Sequence, residues 1–205
     1  MDNKDKIRLF KIRSNVIEMI EDRGYKVPDE IKHIQQDEFN AMISNDETEL
    51  YIKDNGSKDN GSNIYVYFYN KSKLFGKKEL KEIVETAKES YNDDVNIILV
   101  LNKYNNSAVE KEISNPLYIN VEYFSNRQLT FNITKNYLVP EHILLTDEEK
   151  NDVLKKYKSD TIEIFPIIFK TDPIAKYYRM KPGDLCKIIR ACPTAGISVV
   201  YRGVH

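Results

Sequence analysis

The residues through which this chain could do chemistry are few and scattered. Its three histidines, His33, His142 and His205, lie far apart, and none has the spacing of a metal-ligand pair. Cys186 and Cys192 are separated by five residues with no histidine beside them. They form no CxxC pair, and the four ligands of a structural zinc site are not assembled; two cysteines read instead as reduced thiols in an intracellular protein. There is no phosphate-binding Walker loop, no dinucleotide glycine fingerprint and no nucleophile elbow. One nuclease-like pattern merits a test: an acidic-x-lysine tripeptide at the end of a buried strand can hold a catalytic metal. The strand "VNIILVLN" ends Leu101-Asn102-Lys103, so a leucine stands where a carboxylate would have to coordinate. No catalytic residue, no metal site and no cofactor is expected.

What remains is a scaffold, and the elements that build it are legible. The composition is 41% hydrophobic and 31% charged, enough apolar material for real cores. A net charge of -1 provides no overall positive field, so any contact with nucleic acid has to be local. The charged start "MDNKDKIRLF" lacks the apolar stretch of a signal peptide and no segment is long and apolar enough to span a bilayer, which predicts a soluble intracellular protein.

Ile7, Phe10, Val16, Ile17 and Ile20 recur at helical spacing and predict a helix over Lys6–Arg23, with Gly24 ending it in a left-handed conformation. A short helix is expected over Asp37–Ile43. "TELYIK" and "NIYVYFY" predict two strands around a duplicated Lys-Asp-Asn-Gly-Ser sequence (Lys53 to Ser57, then Lys58 to Ser62), read as an expanded surface loop. "KKELKEIVETAKESY" predicts a helix, "VNIILVLN" a strand buried on both sides, Asn105–Ile113 another helix, and "YINVEYF" and "LTFNI" further strands. Helices alternating with strands predict an α/β domain over residues 1–135.

Beyond "NYLVPEH", residues 136–205 predict a small α+β domain. Thr146 and Glu149 form a capping box ahead of "DEEKNDVLKKY", and a strand is expected at "EIFPIIF". Asp172 can cap a helix with Pro173 at its first position. Lys181-Pro182-Gly183-Asp184 fits a type II turn, delivering "LCKIIR" as a strand that "ISVVYR" pairs with across Pro193 to Gly196. Arg190, Tyr201 and Arg202 are the side chains here best suited to anchor an interface, because Arg and Tyr are favoured hot-spot types.

The segments "LVPEHILLTDEEKNDVLKKYK", "DPIAKYYRMKPGDLCKIIR" and "PTAGISVVYR", with "RLFKIRSNVIEMIEDRGYKV", "DEFNAM" and "NITKNYLVPEH" before them, carry a family resemblance. The chain resembles the fifth-largest subunit shared by the eukaryotic nuclear RNA polymerases, whose C-terminal half corresponds to a small subunit of archaeal RNA polymerase. The match is dense over Asn132–Arg202, and only roughly Glu47–Tyr118 is loosely matched. The resemblance implies an α/β N-terminal jaw domain, distantly nuclease-like in shape but inactive, and a small α+β C-terminal assembly domain. It implies a non-catalytic subunit of a multisubunit DNA-directed RNA polymerase. Its assembly domain would dock on the largest subunit, and its jaw would lie beside downstream duplex DNA.

The family's DNA-proximal Thr-Pro-Ser-Ala turn corresponds to Asn105, Asn106, Ser107 and Ala108. Ser-Ala is kept, whereas Asn-Asn replaces Thr-Pro and removes the proline's fixed backbone angle. His142, Asp172, Arg190, Tyr201 and Arg202 are the implied subunit-interface residues. A stand-alone nuclease-like DNA-binding protein and a free adaptor for transcription regulators are the alternatives. Abundant Asn, Lys, Ile and Tyr point to an AT-rich genome, and a virus-encoded copy is preferred over a protist nuclear one. The expected location is the nucleus if the protein is cellular, and a cytoplasmic virus factory and virion if it is viral.

Overall fold

The computed structural model describes residues 3–44, 49–52, 63–69, 73–91, 95–104, 106–192 and 196–205. The chain divides into two compact units, Met1–Phe131 and Asn132–His205. The division falls a few residues before the position expected from sequence. Asn132 belongs to the second unit because its Oδ1 accepts from the Thr134 backbone and its Nδ2 donates to the Tyr177 hydroxyl.

The first unit opens with helix α1 (Asn3–Asp22), the short helix α2 (Asp29–Lys32) and α3 (Gln36–Ser44). It continues through strand β1 (Glu49–Ile52), β2 (Ile64–Tyr69), α4 (Lys77–Tyr91), β3 (Asn96–Leu101), α5 (Asn106–Ile113) and β4 (Val121–Ser125). The strands form one sheet in the order β1-β2-β3-β4, antiparallel for the first pair and parallel for the other two. Every residue of β3 is buried. That is why its sequence reads as an unbroken apolar run rather than an alternation: both faces of the sheet are covered. On one face Tyr65, Tyr69, Ile97, Leu99, Leu101 and Val121 pack with Leu80, Ile83, Val84 and Ala87 of α4 and Val109 of α5.

Helix α1 lies on the opposite face. Arg23, just past its end, donates two hydrogen bonds to Glu122 of β4 (2.9 and 3.2 Å), and Asn96 of β3 reaches the Tyr25 hydroxyl. Gly24 closes the helix at φ 96°, with Gly24 N donating to Glu21 O and Tyr25 N to Ile20 O. This paired arrangement satisfies two terminal carbonyls and needs the left-handed conformation that glycine adopts freely.

The second unit contains β5 (Glu141–Leu144), α6 (Asp147–Lys156), β6 (Ile167–Ile168), α7 (Pro173–Tyr177), β7 (Leu185–Cys192) and β8 (Gly196–Val204). Its sheet order is β5-β7-β8-β6, with β5 and β8 antiparallel to β7 and β6 parallel to β8. One sheet face packs Cys186, Ile188 and Val204 with Ile174, Ala175 and Met180. The other packs Leu185 and Tyr201 with Leu154, Phe165 and Ile162. Gly203 permits that second contact, since a Cβ there would lie 3.0 Å from the Ile162 carbonyl oxygen.

One expected strand is absent and another is cut short. "LTFNI" is a turn followed by a 3-10 turn at Ile133–Lys135. Thr130 Oγ1 donates to the Asn126 carbonyl and Asn132 Oδ1 accepts from Thr134 N, so local side chains meet the backbone's needs before a ladder can. "EIFPIIF" splits into a 3-10 turn at Ile162–Ile164 and the two-residue β6, divided by Pro166, which has no N–H to give a ladder. Helix α2 has no counterpart among the elements expected from sequence. The duplicated Lys53–Ser62 segment and the Pro193–Ala195 connection lie outside the described residues.

Candidate functional site

The residues singled out in the second unit gather on its sheet and on the helix that covers it. The short sequence from Asp172 to Arg190 shapes this surface. Asp172 Oδ1 accepts from Ile174 N (2.9 Å), starting α7 with Pro173 at its first position. Asp184 N donates to Lys181 O (3.0 Å) and Gly183 stands at φ 96°, the geometry of a type II turn with Pro182 at its second corner. Asp184 Oδ2 also accepts from Lys181 N (2.6 Å), locking the turn that launches β7. Thr146 and Glu149 reciprocate across the first turn of α6 as a capping box.

In the register of β7 and β8, Cys186 pairs with Arg202 and Arg190 with Ser198. Alternation along a strand puts Arg190 and Arg202 on the same face as Cys186 and Ile188. His142, opposite Ile188 on β5, shares that face. Its Nδ1 donates to the Pro140 carbonyl at 2.7 Å, which orients the ring.

Arg202 is the unusual member. It is half-buried, and its Nε is enclosed without an acceptor among the described residues. An enclosed polar atom without an acceptor carries a desolvation cost that the rest of the fold offsets. Arg190, by contrast, is exposed.

Tyr201 faces the opposite side. Its ring meets Tyr157 at 6.0 Å and Phe165 at 5.9 Å, so much of it belongs to the unit's own core. Asp172 likewise has an internal task as a helix cap. Both cysteines are thiols. Burial pushes Cys186 up to about 11, with Asp172 adding to the shift and Arg202 opposing it, so this sulfur stays protonated and inert near neutral pH.

Sequence reasoning missed the apolar part of the surface. Ile197 and Val199 of β8 are 68% and 44% exposed, Phe169 beyond β6 is 65% exposed, and Tyr137 is 92% exposed. The signal was present in β8, where Ile197 and Val199 alternate with Ser198 and so put an apolar stripe on the outward side. Ile197 and Val199 are next to each other on the sheet face that carries Tyr201, opposite the face of Arg190 and Arg202.

In the first unit, Asn105 lies outside the described residues. Asn106 begins α5, and Ser107 and Ala108 follow on its exposed first turn. Leu101 is fully buried at the end of β3, and Tyr123 donates to Glu110 Oε1 (2.9 Å), which with burial raises the phenol far above its usual range. Among the described residues, no group of three His, Cys, Asp or Glu could hold a metal ion.

The chain is similar to known proteins along nearly its whole length. Residues 131–204 match the family described as RNA polymerase Rpb5, C-terminal domain, and residues 3–87 match RNA polymerase Rpb5, N-terminal domain. A Dictyostelium discoideum protein named DNA-directed RNA polymerases I, II, and III subunit rpabc1 is 33% identical over 200 residues, 95% of this chain and 96% of that protein. A Caenorhabditis elegans protein of the same description is 33% identical over 210 residues, 98% of this chain and 97% of its own. An Arabidopsis thaliana protein, DNA-directed RNA polymerase V subunit 5A, is 28% identical over 92% of this chain and 84% of its own. With both domains matched in order and full-length relatives at this identity, the chain belongs to the RNA polymerase Rpb5 family.

Proposed function

We propose that the protein is a non-catalytic subunit of a multisubunit DNA-directed RNA polymerase. The second unit docks on the largest subunit, and the first is a jaw beside downstream DNA. The observation that carries the docking half is the sheet face of the second unit on which the exposed Arg190 stands with the half-buried Arg202. A partner carboxylate would pair with the exposed Arg190 guanidinium, and charge-assisted bonds of that kind are the strong ones. The exposed Ile197 and Val199 lie on the opposite face of the sheet, with Tyr201, and offer a separate apolar contact.

The jaw retains a nuclease-like arrangement of parallel strands and covering helices without nuclease chemistry. The buried Leu101 occupies the position a metal-binding carboxylate would need. Ser107 and Ala108, exposed at the start of α5, together with Asn105 and Asn106, are the DNA-proximal positions. Such a subunit works wherever its polymerase works: the nucleus for a cellular enzyme, virus factory and virion for a viral one.

The test is incorporation. Arg190→Glu with Arg202→Glu is expected to reduce recovery of the chain with the largest polymerase subunit by tenfold or more, since reversing charges in a desolvated contact costs on the order of 2 kcal/mol or more. Circular dichroism of the same variant checks that the fold is retained. Normal recovery would remove these arginines from the interface, and recovery of the wild-type chain only as a free monomer would end the subunit reading.

A further inference from the structure

Helix α1 carries its charges in the reverse of the order its own dipole favours. Lys4, Lys6, Arg8 and Lys11 occupy its first half, with Asp5 the one acid of the first turn. Glu18, Glu21 and Asp22 lie toward its end, and the last turn has no basic residue. Charges so placed in the terminal turns oppose the helix dipole and destabilise the helix. The acids at the far end have a local explanation, since Glu21 pairs with Lys32. The cations at the near end have none. Lys4, Arg8 and Lys11 are exposed, and among the described residues none of them makes an ion pair or a side-chain hydrogen bond.

Their arrangement is directional. At 3.6 residues per turn, positions 4, 8, 11 and 15 fall within an arc of about 60°. Asn15, the last of that row, donates to the Leu129 carbonyl at 2.8 Å, in the loop beyond the carboxyl end of β4. Arg23, by contrast, is tied to Glu122 near the amino end of β4. Helix α1 therefore runs antiparallel to β4, and its basic row leads to the carboxyl end of the sheet. There it meets the loop that carries the exposed Arg127. The carboxyl edge of such sheets is where α/β domains meet their ligands.

We propose that Lys4, Arg8 and Lys11, continued by Arg127, form a phosphate-contacting track for the backbone of a nucleic-acid duplex. The row spans about 10 Å of helix axis, so it does not converge on one point as a small-anion site would. Among the described residues Ile7 is the one large exposed apolar side chain beside the row, with no aromatic to centre a protein–protein contact. A duplex presents one charge per ~1.7 Å of its axis, a ligand suited to a line of separate cations. The choice of duplex DNA as the ligand rests on the polymerase-subunit reading; the geometry of the track does not.

The experiment compares the wild-type chain with the triple variant Lys4→Gln, Arg8→Gln, Lys11→Gln, both in purified polymerase and as the free full-length chain. Affinity for a downstream duplex is measured against salt. If each cation neutralises one phosphate, the slope of log K against log salt becomes shallower by about 2.7 in the variant. Gln is a good helix former and relieves the dipole conflict, so thermal stability is expected to stay level or rise. An unchanged slope overturns the track. Poly-glutamate of matched charge competing as well as the duplex would reassign the surface to an acidic protein and overturn the nucleic-acid assignment. Should neither chain co-purify with polymerase, the subunit reading fails, and the slope measured on the free chain still decides the track.

Discussion

The two units solve the same problem, covering a four-stranded sheet, to different degrees. In the first, β3 is buried along its whole length between α4 and α5 on one face and α1 on the other. In the second, α6 and α7 cover only the part of the sheet near Leu185, Cys186 and Ile188, and β7 and β8 run on beyond them. Of the 14 exposed large apolar residues among those described, nine belong to the second unit, although it is the smaller. A unit that leaves such groups uncovered fits the docking role proposed for it, whereas the central strand of the first is covered on both faces. The two halves of the proposed function fall on these two surfaces.

The largest effect that would expose this difference is a cavity in the first unit. Leu99 is fully buried in the centre of β3. Leu99→Ala is expected to destabilise the first unit by about 3 kcal/mol, from lost transfer energy and an unfilled cavity. Denaturant unfolding followed by separate probes in each unit should show an early first transition and an unmoved second. A second transition that shifts equally would mean the units fold as one body and would break the comparison.

A second effect is confined to the other unit. The Cys186 thiol is raised to about 11 by burial, above the usual thiol range. Between the unfolded and folded values the folded state holds the proton and the unfolded state does not. Stability from this group is therefore complete below about pH 8.5 and declines as pH rises toward about 11. The melting temperature of the second unit should fall across that window, and Cys186→Ala should flatten this part of the profile. An equal fall in the alanine variant would show that another group is responsible.

Next in size is the cap of α6. Thr146→Ala removes the acceptor for Glu149 N and breaks the reciprocal box, for a loss of about 1 kcal/mol in the second unit alone. Chemical denaturation of the second unit measures it, and a loss below a few tenths would mean the cap matters little to this helix.

How much of this the sequence revealed depended on whether a residue's role was local. Gly24, the Thr146–Glu149 box, Asp172-Pro173 and the Pro182-Gly183 turn were all legible, because each works through bonds to residues a few positions away. The continuous apolar run of β3 was legible because burial on both faces leaves its own pattern. "LTFNI" and "EIFPIIF" misled because their apolar residues fill gaps beneath turns, where Leu129 and Phe165 are buried without a ladder. The orphaned Nε of Arg202 could not be foreseen, since it depends on which neighbours enclose a side chain across the sheet. Tyr201 looked like a surface anchor and is half absorbed into an aromatic cluster for the same reason.

The smallest effect on stability is the sharpest test of the contrast between the units. Ile197 is 68% exposed on β8 and contributes little to the fold, so Ile197→Ser should change stability by no more than about 0.5 kcal/mol. If the outward stripe of β8 is covered by a partner, the same substitution should weaken incorporation into polymerase by several-fold, because it removes apolar area worth about 25 cal/mol per Å² buried. Leu99→Ala should do the reverse, lowering stability while any chain that remains folded still docks. Competition between tagged wild-type and variant chains for assembly, read beside their denaturation curves, separates the two quantities. Ile197→Ser chains that assemble on equal terms with wild type would place the partner elsewhere on the second unit. Attention would then turn to Phe169 and to Tyr137, each more exposed than Val199.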